Sequence, residues 1–545
     1  MPAPVRNVLF IMCDQLRHDA LSCAGGVLDT PNLDALAARG VRFDRAFVQG
    51  SVCGSSRMST YTGRYVQSHG SRYNSVPLPV GEATIGDHLR PLGVRSALVG
   101  KTHMAVDHSG LDRLRLDPAD PATAVINECG FEPVVRDDGL MPSSSPRRFD
   151  HAYNRFLRDH GFGGDNPWHS VANSVVGPDG RRISGWLLEA SPYAAVVPDE
   201  LSETAYMTDH AIRFIRDAGD DRWCLHLSYI KPHWPYVVSA PYHDLVHPND
   251  LPAPNRSDRE LETDHPVVRA FHRCRIGATF ARDDVRRAVY PAYLGLVKQL
   301  DDHLGRLFAA LDDLGRSDDT MVVLTSDHGD YMGDHWMGEK DWLHEEIVRV
   351  PLIVVDPRPE ARPTRGTTSS TLVEAIDLAP TFVDALGGDA GSNHWLEGRS
   401  LEPTLHAHGE GREAAVCQSE FSLLEMVHEL PPGPRETRRA TMVRTDRYKY
   451  ILSETGPNLL FDLEDDPDEL IDRHDDPALG SVRTELHERM FTWYRERSNE
   501  VTRRPGTSGG PPAEGDDAID GIFIGYWDES DVPGAAAENL EPDRT

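Results

Sequence analysis

Ser51-Val52-Cys53-Gly54-Ser55-Ser56-Arg57-Met58-Ser59-Thr60-Tyr61-Thr62-Gly63-Arg64 is the stretch on which the reading of this chain turns. A cysteine in a tight Gly/Ser turn is followed at once by Arg57 and by a short run of helical character that stops at Gly63. Cys53 is therefore expected at a helix N-terminus, where unpaired backbone N–H groups and the helix dipole favour an anionic nucleophile and an anionic substrate. Arg57 adds a planar, permanently charged fork suited to tetrahedral oxyanions. On its own a lone cysteine is more often a buried structural thiol, so the surrounding chain has to decide.

Upstream, Val8-Leu9-Phe10-Ile11-Met12 is a continuous apolar run that predicts a buried parallel strand. It delivers Asp14 to the carboxyl end of that strand, the edge where open α/β sheets bind ligands. Thr30-Pro31 opens a helix that ends before Gly40, and the run from Val41 to Val48 leads into the Cys53 turn. Downstream, the segment from Thr84 to Leu92 reads as helix and Val94 to Val99 as strand. The latter ends in Gly100-Lys101-Thr102-His103, whose Lys101 and His103 share a face if the segment is extended. Leu111 to Ala195 lacks clear periodicity and reads as an insertion over the active face. Leu201 to Asp217 is helical, and the strand from Trp223 to Ile230 hands on Lys231-Pro232-His233-Trp234-Pro235, whose prolines forbid helix and keep His233 extended. Arg286 to Leu314 is an amphipathic helix with a stripe from Leu294 to Leu311 that is core. Thr320 to Thr325 is a strand ending in Ser326-Asp327-His328, Val350 to Val355 closes the sheet, and Val373 to Leu386 reads as another helix, kinked or restarted at Pro380.

Four strand ends thus bring Asp14, Lys101 with His103, His233, and Asp327 with His328 to one sheet edge. Two carboxylates and an imidazole supply O/O/N ligands for one divalent cation, a mixed donor set that suits Mn²⁺ or another transition ion better than the all-oxygen cages typical of Ca²⁺. A papain-like thiol hydrolase would need neither the metal cluster nor an Arg beside the nucleophile.

The Cys53 stretch resembles the signature of type I sulfatases and the related phosphonate monoester hydrolases of the alkaline phosphatase superfamily. That signature runs Cys-x-Pro/Ala-Ser-Arg and then Thr-Gly-Arg; Cys53, Ser56, Arg57, Thr62, Gly63 and Arg64 match it, and Ser55 departs from it. The resemblance implies an alkaline-phosphatase-like α/β fold with a large mixed, mostly parallel sheet flanked by helices and a smaller C-terminal α+β subdomain. It implies a formylglycine formed from Cys53 by a maturation enzyme, and one divalent metal ion, Mn²⁺ or Ca²⁺, on Asp14, Cys53, Asp327 and His328. Arg57 would orient the nucleophile, and Lys101, His103, His233, Lys340 and Asn74 would contact the substrate. Asp327-His328 and Cys13-Asp14 follow the phosphonate monoester hydrolases, whereas the Lys-x-His of Lys101 and His103 follows the sulfatases. The implied activity is hydrolysis of sulfate monoesters, arylsulfatase-like and promiscuous. The alternative is a phosphonate monoester hydrolase or phosphodiesterase with the same site. A third reading is a catalytically silent binding protein in which Ser55 blocks maturation.

Composition bounds the rest. The 545 residues exceed one ordinary core. We read residues 1–410 as the catalytic domain with an insertion at 111–195, 411–503 as a C-terminal α+β subdomain, and 504–545 as a linker and arm. The arm's apolar Ile522-Phe523-Ile524-Gly525-Tyr526-Trp527 patch resembles the subunit-crossing arm of phosphonate monoester hydrolases and suggests a homo-oligomer, dimer or tetramer. A net charge of −31 argues against nucleic acid or an anionic membrane face as partner, so a small anionic ester would need a local cationic pocket. Seven scattered cysteines form no disulfide framework. With no apolar leader ahead of the first strand, a cytoplasmic enzyme is the expectation.

Overall fold

Continuous apolar runs bounded by turns become strands buried on both faces, and here they build the centre of the molecule. The computed structural model describes residues 5–139, 151–409, 411–421, 430 and 438–497. Among the described residues nine strands form the main sheet: β1 (Asn7–Asp14), β2 (Val41–Phe47), β3 (Arg95–Gly100), β4 (Glu132–Arg136), β5 (Trp223–Pro232), β6 (Thr320–Ser326), β7 (Arg349–Val355), β8 (Thr367–Ser369) and β9 (Val373–Glu374). Their order is β8-β2-β7-β6-β1-β5-β3-β4, with β9 also on β2. Only β7 runs against its neighbours β2 and β6; the other pairs are parallel.

All eight residues of β1 are buried, and their alternation divides the core in two. Val8, Phe10 and Met12 enter one apolar cluster, while Leu9, Ile11 and Cys13 enter the other. Helix α1 (Pro31–Arg39), helix α3 (Glu203–Asp217) and the long helix α4 (Asp283–Asp313) feed the second cluster. On α4 the expected stripe of Leu294, Leu296, Val297, Leu300, Leu304, Leu307 and Leu311 is buried, each side chain gaining about 2 kcal/mol over exposure. Helix α2 (Cys53–Thr62) and helix α5 (Leu378–Ala385) feed the first cluster through Met58, Tyr61, Leu378 and Phe382.

A second, antiparallel sheet follows in chain order: β10 (Ala415–Glu420), β11 (Arg439–Arg444), β12 (Tyr448–Ser453) and β13 (Leu459–Asp462). Its Cys417, Met442, Ile451 and Phe461 extend the first core cluster, and helix α6 (Gly480–Arg497) comes after it. Both sheets lie in one compact unit, Met1–Trp493. Among the described residues no helix is long and apolar enough to cross a membrane.

Two sequence expectations need correction. Residues 373–386 are not one helix: Val373–Glu374 pair with Ala46–Phe47 as β9, a single 3-10 turn follows, and α5 begins only at Leu378. Pro380 falls in the first turn of α5, where its missing N–H costs nothing, and so does not interrupt the helix. Glu132–Arg136, inside the segment read as an insertion, is the edge strand of the main sheet. The arm at 504–545 lies outside the described residues.

Candidate active site

Strand β1 lies between β5 and β6, with Cys13 level with Tyr229 on one side and Ser326 on the other. Neighbouring strands are about 4.8 Å apart, so residues leaving adjacent ends meet. A register shift after Cys13 sets Asp14 opposite Pro232, and the His233 N–H donates to the Asp14 carbonyl at 3.1 Å. Asp327 and His328 leave β6 beside them, and β3, aligned Gly100 to Ser228, delivers Lys101.

The fourth component is α2. All ten of its residues are buried although half are Ser or Thr. The helix can be buried because hydroxyls bond back to carbonyls one turn earlier: Ser59 to Ser55 (2.9 Å), Thr60 to Ser56 (3.0 Å) and Thr62 to Met58 (2.7 Å). Gly63 ends it at φ 66°. At the start, the Gly54 N–H donates to Asn74 Oδ1 at 2.7 Å, supplying the cap that Val52 cannot give. Gly50 lets the turn close, since a Cβ there would sit 2.3 Å from Ser55 Oγ.

Cys53, the first residue of α2, is thereby aimed at the strand ends. Its Sγ lies 3.1 Å from His328 Nε2, 3.2 Å from Lys340 Nζ and 3.7 Å from Asp14 Oδ1. One ligand atom from each of Asp14, Cys53, Asp327 and His328 falls within 4.8 Å of the others, and all four residues are buried. His328 Nδ1–H donates to the Gly329 carbonyl at 2.9 Å, which turns Nε2 toward the group. Two carboxylates, an oriented imidazole and a residue-53 atom fit one divalent cation. Residue 53 contributes its Sγ to that group.

Arg57 is fully buried and spends its fork on the acids. Nε donates to Asp327 Oδ2 (2.7 Å), Nη2 to Asp14 Oδ2 (3.2 Å), and Nη1 to Ser228 Oγ (2.7 Å) and the Lys101 carbonyl (3.0 Å). The sequence suggested a fork for a substrate oxyanion; the structure gives a brace for the two carboxylates. Lys101 pairs with Asp14. Lys340 Nζ, besides Cys53, reaches Gln15 Oε1 (3.0 Å) and His233 Nε2 (3.0 Å). His103 also faces the Cys53 thiol and helps hold its pKa down. It gets there through a left-handed turn, φ 58°, rather than by strand alternation. Its N–H and that of Thr102 are held by Asp138 Oδ1.

Burial opposes every charge in this pocket, and the pairings decide which survive. Burial pushes the Cys53 thiol up, but Lys340, Lys101 and His328 hold it well below its usual range. Burial works against Lys101 and Lys340 too, yet Asp14 and Cys53 raise both. His233 goes the other way: burial and the neighbouring Lys340 lower its pKa. Its Nδ1–H donates to the Trp234 carbonyl at 2.7 Å, so the Nε2 lone pair faces the Lys340 ammonium. Beyond this cationic ring stand Glu339 and Asp341; burial pushes the latter up to about 7.

Several participants went unmarked in the sequence. Gln15 spans Lys340 on one side and Asp330 with Tyr236 on the other, and its place directly after Asp14 was the available signal. Ser228, a hydroxyl inside an apolar strand, serves Arg57. Lys231 stands two residues before His233 in a segment already singled out.

Comparison with known proteins places the chain in a family and a fold. The sulfatase family model matches residues 6–388, and the model described as N-sulphoglucosamine sulphohydrolase, C-terminal, matches 333–496. A multifunctional alkaline phosphatase superfamily protein of Trinickia caryophylli is 29% identical over 514 residues, covering 90% of this chain and 95% of its own. An arylsulfatase of Clostridium perfringens is 25% identical over 476 residues, covering 85% and 89%. Among solved structures, a phosphonate monoester hydrolase of Silicibacter pomeroyi superposes with a TM-score of 0.79 at 27% identity, covering 91% of this chain and 96% of its own. The fold is therefore that of the alkaline phosphatase superfamily. With the family model spanning most of the sequence and the Cys53 cluster assembled at the sheet edge, the chain belongs to the sulfatase family.

Proposed function

We propose that this protein hydrolyses sulfate monoesters through an oxidised residue 53, with phosphonate monoesters or phosphodiesters as competing substrates. The observation that carries the reading is the buried Asp14–Cys53–Asp327–His328 group ringed by Lys101, His103, His233 and Lys340. When bound, a divalent cation, Mn²⁺ or Ca²⁺, held by Asp14, Asp327, His328 and residue 53 would supply Lewis acidity, and a formylglycine at residue 53 a hydrated aldehyde as nucleophile. Arg57 fixes the carboxylates. Lys101 and His103 bind the oxygens of the sulfuryl or phosphoryl group, and Asn74 holds the start of the nucleophile helix at the substrate's edge. The leaving oxygen needs one proton, and the Lys340 Nζ–His233 Nε2 pair holds one at the right place. His103 is the base for the proton that residue 53 must release before the next turnover.

The second reading, a dedicated phosphonate monoester hydrolase or phosphodiesterase, rests on a specific observation as well. Asp327-His328 and Cys13-Asp14 follow that pattern, and relatives with that activity in their names are among the similar structures. Comparing a nitrophenyl sulfate with a phenylphosphonate ester of the same nitrophenol separates the two. Higher kcat/KM on the sulfate supports our order, and predominance of the phosphonate reverses it.

We further take residues 1–410 as the catalytic domain, 411–503 as the C-terminal subdomain and 504–545 as an arm for contacts in a dimer or tetramer. The cytoplasm is the compartment we propose, since no cysteine among the described residues is disulfide-bonded. A formylglycine-generating enzyme is the required maturation partner.

A further inference from the structure

Lys231 is buried, 6% exposed, near the end of β5 and two residues before His233. An ammonium has three donors, and here all three are committed. Nζ donates to the Pro235 carbonyl at 2.9 Å, to Asn173 Oδ1 at 3.2 Å and to the His233 carbonyl at 3.4 Å. Two of these acceptors flank Trp234, whose own carbonyl receives the His233 Nδ1–H. The His233 N–H is tied to the Asp14 carbonyl. The imidazole is therefore fixed by a short loop whose inner side is clamped by one charged group.

Behind the clamp, Glu203 opens α3. Its Oε1 accepts from Trp168 Nε1 at 2.7 Å, and it lines with Lys231, Asn173 and Tyr153 a cavity of about 20 Å³. That space holds about one water molecule and no ester. Lys231, with no donor to spare and no room beside it, is not a substrate ligand.

We propose that Lys231, seated on Asn173 and on the carbonyls either side of Trp234, is a positioning residue that holds the His233 imidazole in register with Lys340 for proton delivery to the leaving group. The proposal rests on the hydrolase reading above, and its test separates the two. Loss of position at a proton donor is felt in proportion to how much the leaving group needs the proton. Lys231→Met keeps the length and removes the clamp; Asn173→Ala removes one of its three acceptors and is the milder variant if Lys231→Met does not fold.

Each variant is assayed with two esters of the acid the wild type turns over, one with a nitrophenol and one with a simple alcohol. The ratio of their kcat values in a single preparation does not depend on how much protein is folded. For Lys231→Met we expect kcat on the alkyl ester to fall about 10²-fold and on the nitrophenyl ester by less than about tenfold. Asn173→Ala should shift the ratio the same way by a smaller factor. Equal losses on both esters in both variants overturn the positioning role and leave the hydrolase reading intact. A wild type, verified as oxidised at residue 53 and metal-loaded, that hydrolyses neither kind of ester overturns both.

Discussion

Replacing Arg57 with methionine tests whether this side chain is the brace that the geometry indicates. The guanidinium and both carboxylates it contacts are fully shielded from solvent. Without it, Asp327 Oδ2 loses its 2.7 Å partner, while Asp327 Oδ1 keeps the Gln15 N–H and His328 Nε2 at 3.8 Å. Asp14 retains Lys101, and Ser228 Oγ and the Lys101 carbonyl lose donors. Stranding one buried carboxylate costs about 3–5 kcal/mol, and each orphaned neutral acceptor adds about 1 kcal/mol or more. In chelator at pH 7, urea unfolding of Arg57→Met should therefore show a loss of at least about 3 kcal/mol relative to wild type. Adding Mn²⁺ should recover part of it, because a cation in the Asp14–Asp327–His328 group restores positive charge beside the same acids. By linkage the recovered part equals the gain in metal affinity. A loss below about 1 kcal/mol in chelator, the range of an exposed pair, would refute the brace.

Two further predictions address other parts of the molecule. His335 is buried between Glu260 Oε1 (2.6 Å) and Glu346 Oε2 (3.3 Å); burial opposes its charge, but Glu346 and Glu260 raise its pKa well above 6.5. A raised histidine stabilises fully below its unfolded pKa and loses that contribution as pH climbs through the folded value, so His335→Asn should cost more stability at pH 6 than at pH 9. Equal unfolding shifts at both pH values would contradict this. Asn74→Ala removes the acceptor of the Gly54 N–H and should cost about 0.5–2 kcal/mol together with a fall in kcat, read by urea unfolding and steady-state assay. Unchanged kcat would show that Cys53 does not depend on that cap.

Much of the site was legible because its residues sit where apolar runs stop. Asp14 follows Val8–Met12, Lys101 follows the strand ending at Gly100, and Asp327-His328 follow Thr320–Ser326. Once those runs are parallel neighbours, their ends must converge. What could not be read depends on register and on competition for partners. Arg57 is suited equally to an oxyanion and to carboxylates, and only the assembled sheet shows two buried acids within its reach. Ser228 and Lys231 gain roles because β5 lies beside β1 and β3. The segment 373–386 misled because Val373 on a strand and Ile376, Ala379 and Val383 after it recur every three or four residues, as on one helix face. Pairing of Val373 with Ala46 overrides that periodicity.

The central claim is that residue 53 works as an oxidised side chain among Asp14, Asp327 and His328. Peptide mass spectrometry of the catalytically active protein, covering Ser51–Arg64, tests it most directly. The account predicts formylglycine at position 53, with activity across preparations proportional to its fraction. Full activity from protein whose residue 53 is entirely an unmodified thiol would contradict it.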